Sequence, residues 1–303
     1  MFPKNICLGI GFLIVIIVGT VANLFLFTFY TLTIHGGHKR NSITHIFAQL
    51  SLVNCIMLLS KGIPQILQEL TSNYSLDVVW CKIVFYLRKV SQGLSISFTC
   101  LLCIFQAITI SPPKWAEFKV KATQQTTSSC FFSWILNLLI EIPVPVSAKG
   151  PRSSSNITIA FDNGFCTSEH IMDIYLIITT FRNVLCLGIM VLASVYMVLL
   201  LYRHHRYVQN FQTTKLSPRR HPEIRATQTI LSLMSLFVSF YALESIFTLF
   251  LSYSNQKSPW VLSIAIFLSL CYPTISPFFL SPRAPRPTYT VWQKHPHSQT
   301  SKL

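Results

Sequence analysis

Five ionisable residues interrupt the long apolar stretches of this sequence: Arg88, Lys89, Glu141, Arg182 and Glu244. An ionisable group at bilayer depth costs free energy, so it usually serves a function or has a partner. At a rise of about 1.5 Å per residue, four different helices would carry these groups at a similar depth, roughly 9 to 14 Å from one end. Such a belt could line a cavity that opens at that end and binds a small polar molecule.

The same charges could instead pair with one another and fix the packing of the helices, for instance Arg88 with Glu141 or Arg182 with Glu244. Lys89 could also extend its ammonium group toward the membrane surface. The two interpretations are compatible. Three cations and two anions give a summed charge of +1, which favours a weakly acidic or polar ligand.

Other site chemistries find little support in the residue pattern. Cys100 and Cys103 form a C-x-x-C pair, but inside an apolar run they are expected to be packing residues. His204 and His205 lie in a strongly basic stretch, which is a poor setting for a metal ligand. A zinc-protease pattern or a paired nucleophile and base at one depth is missing. We therefore expect no cofactor, no metal and no enzymatic activity.

The composition identifies the environment of these charges. Apolar residues make up 51% of the 303 residues and charged residues only 11%, against about 25% in ordinary soluble domains. The net charge of +15 comes from 24 basic and 9 acidic residues. Nucleic-acid binding is not expected, because the basic residues fall in short connectors between apolar runs. That pattern is typical of a membrane protein with positive cytosolic loops.

Seven apolar runs are long enough to cross the hydrocarbon core as helices, which takes about 20 residues. They cover residues 6–34, 43–67, 81–110, 128–147, 172–202, 224–251 and 259–281. We predict an all-α membrane protein, with residues 1–5 as an extracellular N-terminus, 6–281 as a seven-helix bundle and 282–303 as a cytoplasmic tail.

Asn23 and Asn54, in the first and second runs, are predicted to hydrogen-bond between helices or to join an activation network. Four prolines in the fourth and seventh runs are predicted to kink their helices. They are Pro143, Pro145, Pro273 and Pro277.

Flanking charge predicts the orientation. Lys39 and Arg40 follow the first run and only Lys4 precedes it, so the N-terminus should lie outside. The loops then assigned to the cytosol hold most connector Lys and Arg residues. The two N-x-[ST] sites, Asn73 and Asn156, fall in loops assigned to the outside, where they could be glycosylated.

The cysteines agree with this orientation. Cys81, at the start of the third run, and Cys166, in the loop before the fifth, both face the oxidising side. We predict a disulfide bond between them that holds this loop across the mouth of the bundle.

Several short segments of the sequence resemble those of vomeronasal type 1 receptors, a family of G-protein-coupled pheromone receptors. They occur at residues 59–65 (LSKGIPQ), 105–112 (FQAITISP), 197–205 (MVLLLYRHH), 237–241 (FVSFY) and 271–278 (CYPTISPF). The resemblance covers roughly residues 8–282. The sequence departs from the family at two places. Asn183 follows Arg182 at a position where the family usually has an aspartate, and the residues after Ser281 look unlike the family.

The resemblance implies a seven-transmembrane bundle of G-protein-coupled receptor type in the plasma membrane of sensory neurons. It also implies that a small pheromone-like ligand binds from outside and that a Gi-class heterotrimeric G protein docks on the cytosolic face. The residues expected on that face are Thr109, Ser111, Arg203, Arg206 and Arg225. A transporter or channel is the alternative, disfavoured by an odd number of spans without inverted halves.

Overall fold

A computed structural model describes residues 6–36, 42–70, 77–112, 116–149, 159–162, 167–169, 173–211, 222–253 and 259–281. The helices are α1 (Ile6–His35), α2 (Ser42–Leu70), α3 (Val78–Ile110), α4 (Ala116–Ile140), α5 (Pro143–Ser147), α6 (Asp173–Phe211), α7 (Pro222–Tyr253) and α8 (Pro259–Leu280). Three short strands, β1 (Ala148–Lys149), β2 (Ile159–Asp162) and β3 (Thr167–Glu169), form an antiparallel sheet in the order β1-β3-β2.

The seven predicted spans are confirmed. Seven helical segments are long and apolar enough to cross a membrane, with α4 and α5 together supplying the fourth. Successive spans run in alternating directions, since each must return across the bilayer. We call the end where α2 ends and α3 begins the Cys81 end, and the opposite end, where α1 and α8 end, the Tyr30 end.

Two helices extend by many residues beyond the predicted apolar runs at the Tyr30 end. α4 begins at Ala116 rather than at residue 128, and α6 continues to Phe211 rather than to 202. The basic residues expected in connectors at the Tyr30 end therefore lie partly on helical extensions. Hydropathy detects only the part of a helix that lipid requires to be apolar. Lys, Arg, Gln and Ala, which recur in these extensions, are strong helix formers.

The fourth span breaks at its predicted proline. The Glu141 amide still donates to the Asn137 carbonyl at 3.2 Å, whereas the Ile142 amide donates to Leu139, three residues back, at 3.3 Å. Pro143 has no amide proton and cannot continue the ladder, but it suits the first position of a new helix. α5 begins there. The break leaves the Glu141 side chain at the end of α4.

The small sheet between α5 and α6 was not predicted, because strands of two to four residues leave almost no periodic signal. Its first strand lies against the Cys81 end of α3. Ala148 joins a buried apolar cluster with the other members Cys81, Phe85, Val144 and Tyr175. This cluster fixes the start of the connector between the fourth and fifth spans.

The predicted hydrogen bonds of the two asparagines are confirmed, and they tie α1, α2 and α8 together. Asn23 Nδ2 donates to the Pro273 carbonyl at 2.8 Å, and Asn54 Nδ2 donates to Ser276 Oγ at 2.9 Å and to Asn23 Oδ1 at 3.3 Å. Pro277 lies four residues after Pro273 and lacks the amide that would normally bond that carbonyl. Pro277 therefore leaves the Pro273 carbonyl available to accept a hydrogen bond from Asn23 on α1.

We expect Asn23→Ala to lower the stability of the bundle by about 0.6–1.7 kcal/mol, the range measured for hydrogen bonds between membrane helices. The reason is that the Pro273 carbonyl would lose its shorter hydrogen bond and keep only the one from Ser276 Oγ at 3.5 Å. Thermal unfolding of the purified protein measures the change. Thr28→Val is the control, since the Thr28 hydroxyl bonds the Leu24 carbonyl of its own helix. An equal loss in both variants would contradict this account.

Candidate functional site

The first charged cluster joins α4 to α6 through a buried ion pair. Arg182 Nη1 lies 2.8 Å from Glu141 Oε1 and also donates to Asn137 Oδ1 at 3.0 Å. The hydroxyl of Tyr175 donates to the other carboxylate oxygen at 2.5 Å. The Glu141 side chain is 1% exposed. A buried carboxylate is tolerated when both its oxygens are satisfied in this way.

Gly93 makes room for this cluster on α3. A Cβ atom at this position would lie 2.3 Å from Asn137 Oδ1 and 2.7 Å from Arg182 Nη1. The absent side chain lets the guanidinium and the amide approach the α3 backbone. Sequence reasoning missed Gly93, although a glycine within an apolar helix often marks such a close approach.

The second charged cluster joins α2 to α7. Lys61 Nζ lies 3.1 Å from Glu244 Oε1, and the lysine side chain is fully buried. Gln92 Nε2 on α3 lies 3.5 Å from the same carboxylate oxygen. Burial of the lysine limits competition from water, and the ion pair joins the two helices directly.

Arg88 and Lys89 lie between the two clusters. Arg88 is half-buried and attracted electrostatically to Glu244, whereas Lys89 is exposed and within electrostatic range of Glu141, Glu244 and Arg182. Within the part of the chain that the structure describes, neither residue has a carboxylate at ion-pair distance. The five predicted residues are therefore within electrostatic range of one another, and their role as a ligand-binding belt stays a prediction.

The pairing within the belt differs from both suggested pairings. Arg182 pairs with Glu141, and Glu244 pairs with Lys61, a residue that was not predicted to belong to the belt. Counting residues along a helix predicts how deep a side chain lies in the membrane, but not which neighbouring helix that side chain contacts. With Lys61 included, four cations and two anions give a sum of +2.

A small cavity lies beside the second cluster. Its volume is about 20 Å³, enough for about one water molecule. Four helices line it with Met57, Gln92, Ser95, Ile96, Phe237, Phe240, Tyr241, Glu244, Ser269 and Tyr272. Of the five predicted ligand-binding residues, only Glu244 is among them.

The α3 residues in this lining could have been found from the sequence. Gln92, Ser95 and Ile96 follow Arg88 at helical spacing and so share its face of the helix. Their side chains are ordinary in type, and nothing in their local sequence distinguishes them from packing residues. The sequence signal was their helical spacing from Arg88, an ionisable residue within an apolar run.

A hydrogen-bonded path connects the first cluster to the cavity. Arg182 Nε donates to Asn183 Oδ1 at 3.2 Å, and Asn183 Nδ2 donates to the hydroxyl of Tyr241 at 2.8 Å. Tyr241 lines the cavity from α7. An asparagine can serve both neighbours because its amide carries an acceptor and two donors. A change in the cavity can therefore reach the α4–α6 pair through side-chain contacts.

One of the predicted covalent features falls within the described residues. Cys81 is disulfide-bonded, whereas its predicted partner Cys166 and the sequons Asn73 and Asn156 lie outside the described residues, so the pairing and the glycosylation stay predictions. The other described cysteines have free thiols: Cys7, Cys55, Cys100, Cys103, Cys130, Cys186 and Cys271.

The residues expected to face a G protein lie toward the Tyr30 end. Thr109 is exposed, whereas Ser111 is buried with its hydroxyl 2.9 Å from that of Tyr196 on α6. Arg203 and Arg206 are exposed on the last turns of α6. Arg225 lies in the first turn of α7, and its side chain is outside the described residues.

A bundle of seven apolar helices with a cavity between them is typical of the class of G-protein-coupled receptors. Over residues 6–288 the chain matches the family described as "Vomeronasal organ pheromone receptor family". It belongs to this family, as the sequence resemblance predicted.

Individual relatives agree with the family match. The chain is 36% identical to human vomeronasal type-1 receptor 3 over 94% of both chains. It is 37% identical to human vomeronasal type-1 receptor 4 over 80% of this chain and 83% of that one. A zebrafish (Danio rerio) protein named olfactory receptor class A-like protein 1 is 26% identical over 90% of this chain and 87% of its own length.

We expect Arg182→Met and Glu141→Gln each to destabilise the protein by about 3–5 kcal/mol, because each leaves the other residue of the pair buried without its charged partner. The double variant should lose less than the sum of the two. Thermal unfolding of all three variants in one double-mutant cycle measures the coupling. Strictly additive losses would mean that the pair contributes nothing as a pair.

Gly93→Ala should cost about 1–3 kcal/mol, since the added methyl group overpacks the contact with Arg182 and Asn137. Gly188→Ala on α6 is the matched control, because a Cβ at Gly188 would meet nothing within 4 Å. Thermal unfolding of both variants compares them. The close approach at Gly93 would be refuted by two variants of equal stability.

Proposed function

We propose that this protein is a chemosensory receptor of the plasma membrane that binds a small pheromone-like molecule and activates a Gi-class heterotrimeric G protein. The observation that carries the proposal is the cavity beside Glu244, which lies within the charged belt of a vomeronasal-family bundle. Family membership supports a receptor, and the charged belt supports a polar or weakly acidic ligand.

The ligand is proposed to enter at the Cys81 end, which faces the outside in the orientation that flanking charge favours. Arg88, Lys89, Glu141, Arg182 and Glu244 are retained as its proposed surroundings. Glu244 would contact the ligand, Arg88 and Lys89 would attract it, and the Arg182–Glu141 pair would hold α4 and α6 in position around it.

The G protein is proposed to dock at the Tyr30 end. Arg203 and Arg206 offer exposed positive charge on the helical extension of α6, and Thr109 is exposed at the end of α3. Ser111 would act differently, by joining the end of α3 to α6 through its contact with Tyr196. Arg225 adds a charge at the start of α7.

Cells that express a surface-verified, epitope-tagged receptor test the proposal. A library of small polar and acidic molecules should contain activators that lower cyclic AMP, and pertussis toxin should abolish the response. Arg203→Glu together with Arg206→Glu should weaken coupling about tenfold or more by reversing charge at the docking surface.

Lys82→Glu is the control for this charge reversal, because Lys82 is exposed near the start of α3 at the other end of the bundle. It should leave coupling unchanged. Ligand-dependent solute flux that persists without a G protein would overturn the receptor proposal in favour of transport.

A further inference from the structure

We propose that Lys61 and Arg88 bind an anionic group of the ligand, and that this group takes the place of the Glu244 carboxylate. The inference rests on the proposed receptor function. It adds Lys61, which was not among the predicted ligand-binding residues. It also specifies an anionic group on the ligand and names the Lys61–Glu244 contact as the one that this group would replace.

The charge balance around Glu244 favours a second anion. Lys61 Nζ is 3.1 Å from the Glu244 carboxylate, and Arg88 is attracted to the same group. Among the described residues, Arg88 has no carboxylate of its own at ion-pair distance. Two cations thus share one anion in an interior where charges interact strongly. A carboxylate or sulfate of a ligand would be held by the excess positive charge.

The cavity that Glu244 lines holds an unused hydrogen-bond donor; Lys61 is not among its lining residues but reaches it through the contact with Glu244. Ser95 is 2% exposed, its side chain lines the cavity, and its hydroxyl has no hydrogen-bond partner among the described residues. Leaving such a group unsatisfied costs about 1–3 kcal/mol. A bound ligand with an acceptor atom would satisfy it. Gln92, whose side-chain amide reaches Glu244 at 3.5 Å, offers further donors one turn away.

The cavity must enlarge for a ligand to bind. Its volume of about 20 Å³ accommodates little more than water, and α7 supplies most of the aromatic part of its lining, Phe237, Phe240 and Tyr241. α7 also carries Glu244. It packs mainly against α8 and only lightly against α3 and α6. Movement of α7 away from α3 would therefore enlarge the cavity at little packing cost.

These observations connect binding to a change of state. While Lys61 holds Glu244, α2 and α7 are joined and the cavity stays small. A ligand anion that occupies Lys61 releases Glu244, so α7 can move and the larger cavity is stabilised by the ligand itself. Such a ligand shifts a two-state equilibrium because it binds one state better than the other.

The test uses purified full-length protein in lipid nanodiscs, with n-decanoate as the probe and decan-1-ol as its uncharged analogue. Thermal unfolding in the presence of each probe reports binding without a G protein. Decanoate should raise the Tm of the wild-type protein more than decan-1-ol does. Lys61→Met should abolish the difference. Glu244→Gln should tighten decanoate binding about 5- to 150-fold, the usual range for coupled sites, since the competing carboxylate is gone.

The reciprocal variant Lys61→Glu with Glu244→Lys guards against loss of folding in the single variants, because it retains an ion pair. It should remain folded and weaken decanoate binding. Lys82→Met, a change of an exposed lysine near the start of α3, should behave as wild type. The inference is overturned if decanoate fails to stabilise the wild type over decan-1-ol, if Lys61→Met keeps the preference, or if Glu244→Gln weakens binding.

Basal nucleotide exchange on a co-purified Gi protein separates this inference from the proposed function. Glu244→Gln should raise basal exchange several-fold, because the bond between α2 and α7 is absent. Exchange that is present in the wild type but unaffected by Glu244→Gln overturns the switch and leaves the receptor proposal intact. A Lys61-dependent decanoate effect without exchange in any variant overturns the receptor proposal and leaves the anion site intact.

Discussion

Charge inside an apolar bundle must be compensated, and this requirement organises the structure around it. The lipid environment offers no water to buried ions, so a buried ion is stabilised by a partner on another helix or by a polar cavity. The Arg182–Glu141 pair joins the fourth and fifth spans, and the Lys61–Glu244 pair joins the second and sixth. Because hydrophobic burial gives little preference for one helix neighbour over another in lipid, these polar contacts contribute to the specificity of the arrangement.

The two pairs differ in how fully their surroundings fix them. The Glu141 carboxylate bonds Arg182 through one oxygen and the Tyr175 hydroxyl through the other, and Gly93 lets α3 close against the pair. Glu244 instead borders a cavity and stands among more positive than negative charge. The first pair therefore suits a structural role, whereas the second borders a cavity that would have to enlarge to admit a competing anion. The second pair is thus the contact on which the proposed ligand would act.

Sequence predicted the scaffold well, since a bilayer imposes a length and an apolar composition on every span. It also predicted the hydrogen bonds of Asn23 and Asn54 and the break at Pro143, because amides and prolines have few alternatives within a membrane helix. The ion-pair partners were not predicted, since depth along a helix leaves rotation about its axis undetermined. Lys61 was left out of the belt for a similar reason. It lies among apolar residues toward the Cys81 end of α2, where a lysine can often reach the surface, whereas its side chain turns inward to Glu244.

The path from Glu141 to the cavity suggests why the asparagine after Arg182 matters to this chain. Asn183 accepts from Arg182 and donates to Tyr241, so one neutral side chain connects the fixed pair to α7. An aspartate there, as the family usually has, would offer only acceptors, and the Tyr241 hydroxyl would have to donate instead of accept. It would also add a negative charge beside Arg182 and reduce the positive excess of the belt. The asparagine therefore leaves this bundle more positive around its cavity than an aspartate would, which favours an acidic ligand over a basic one.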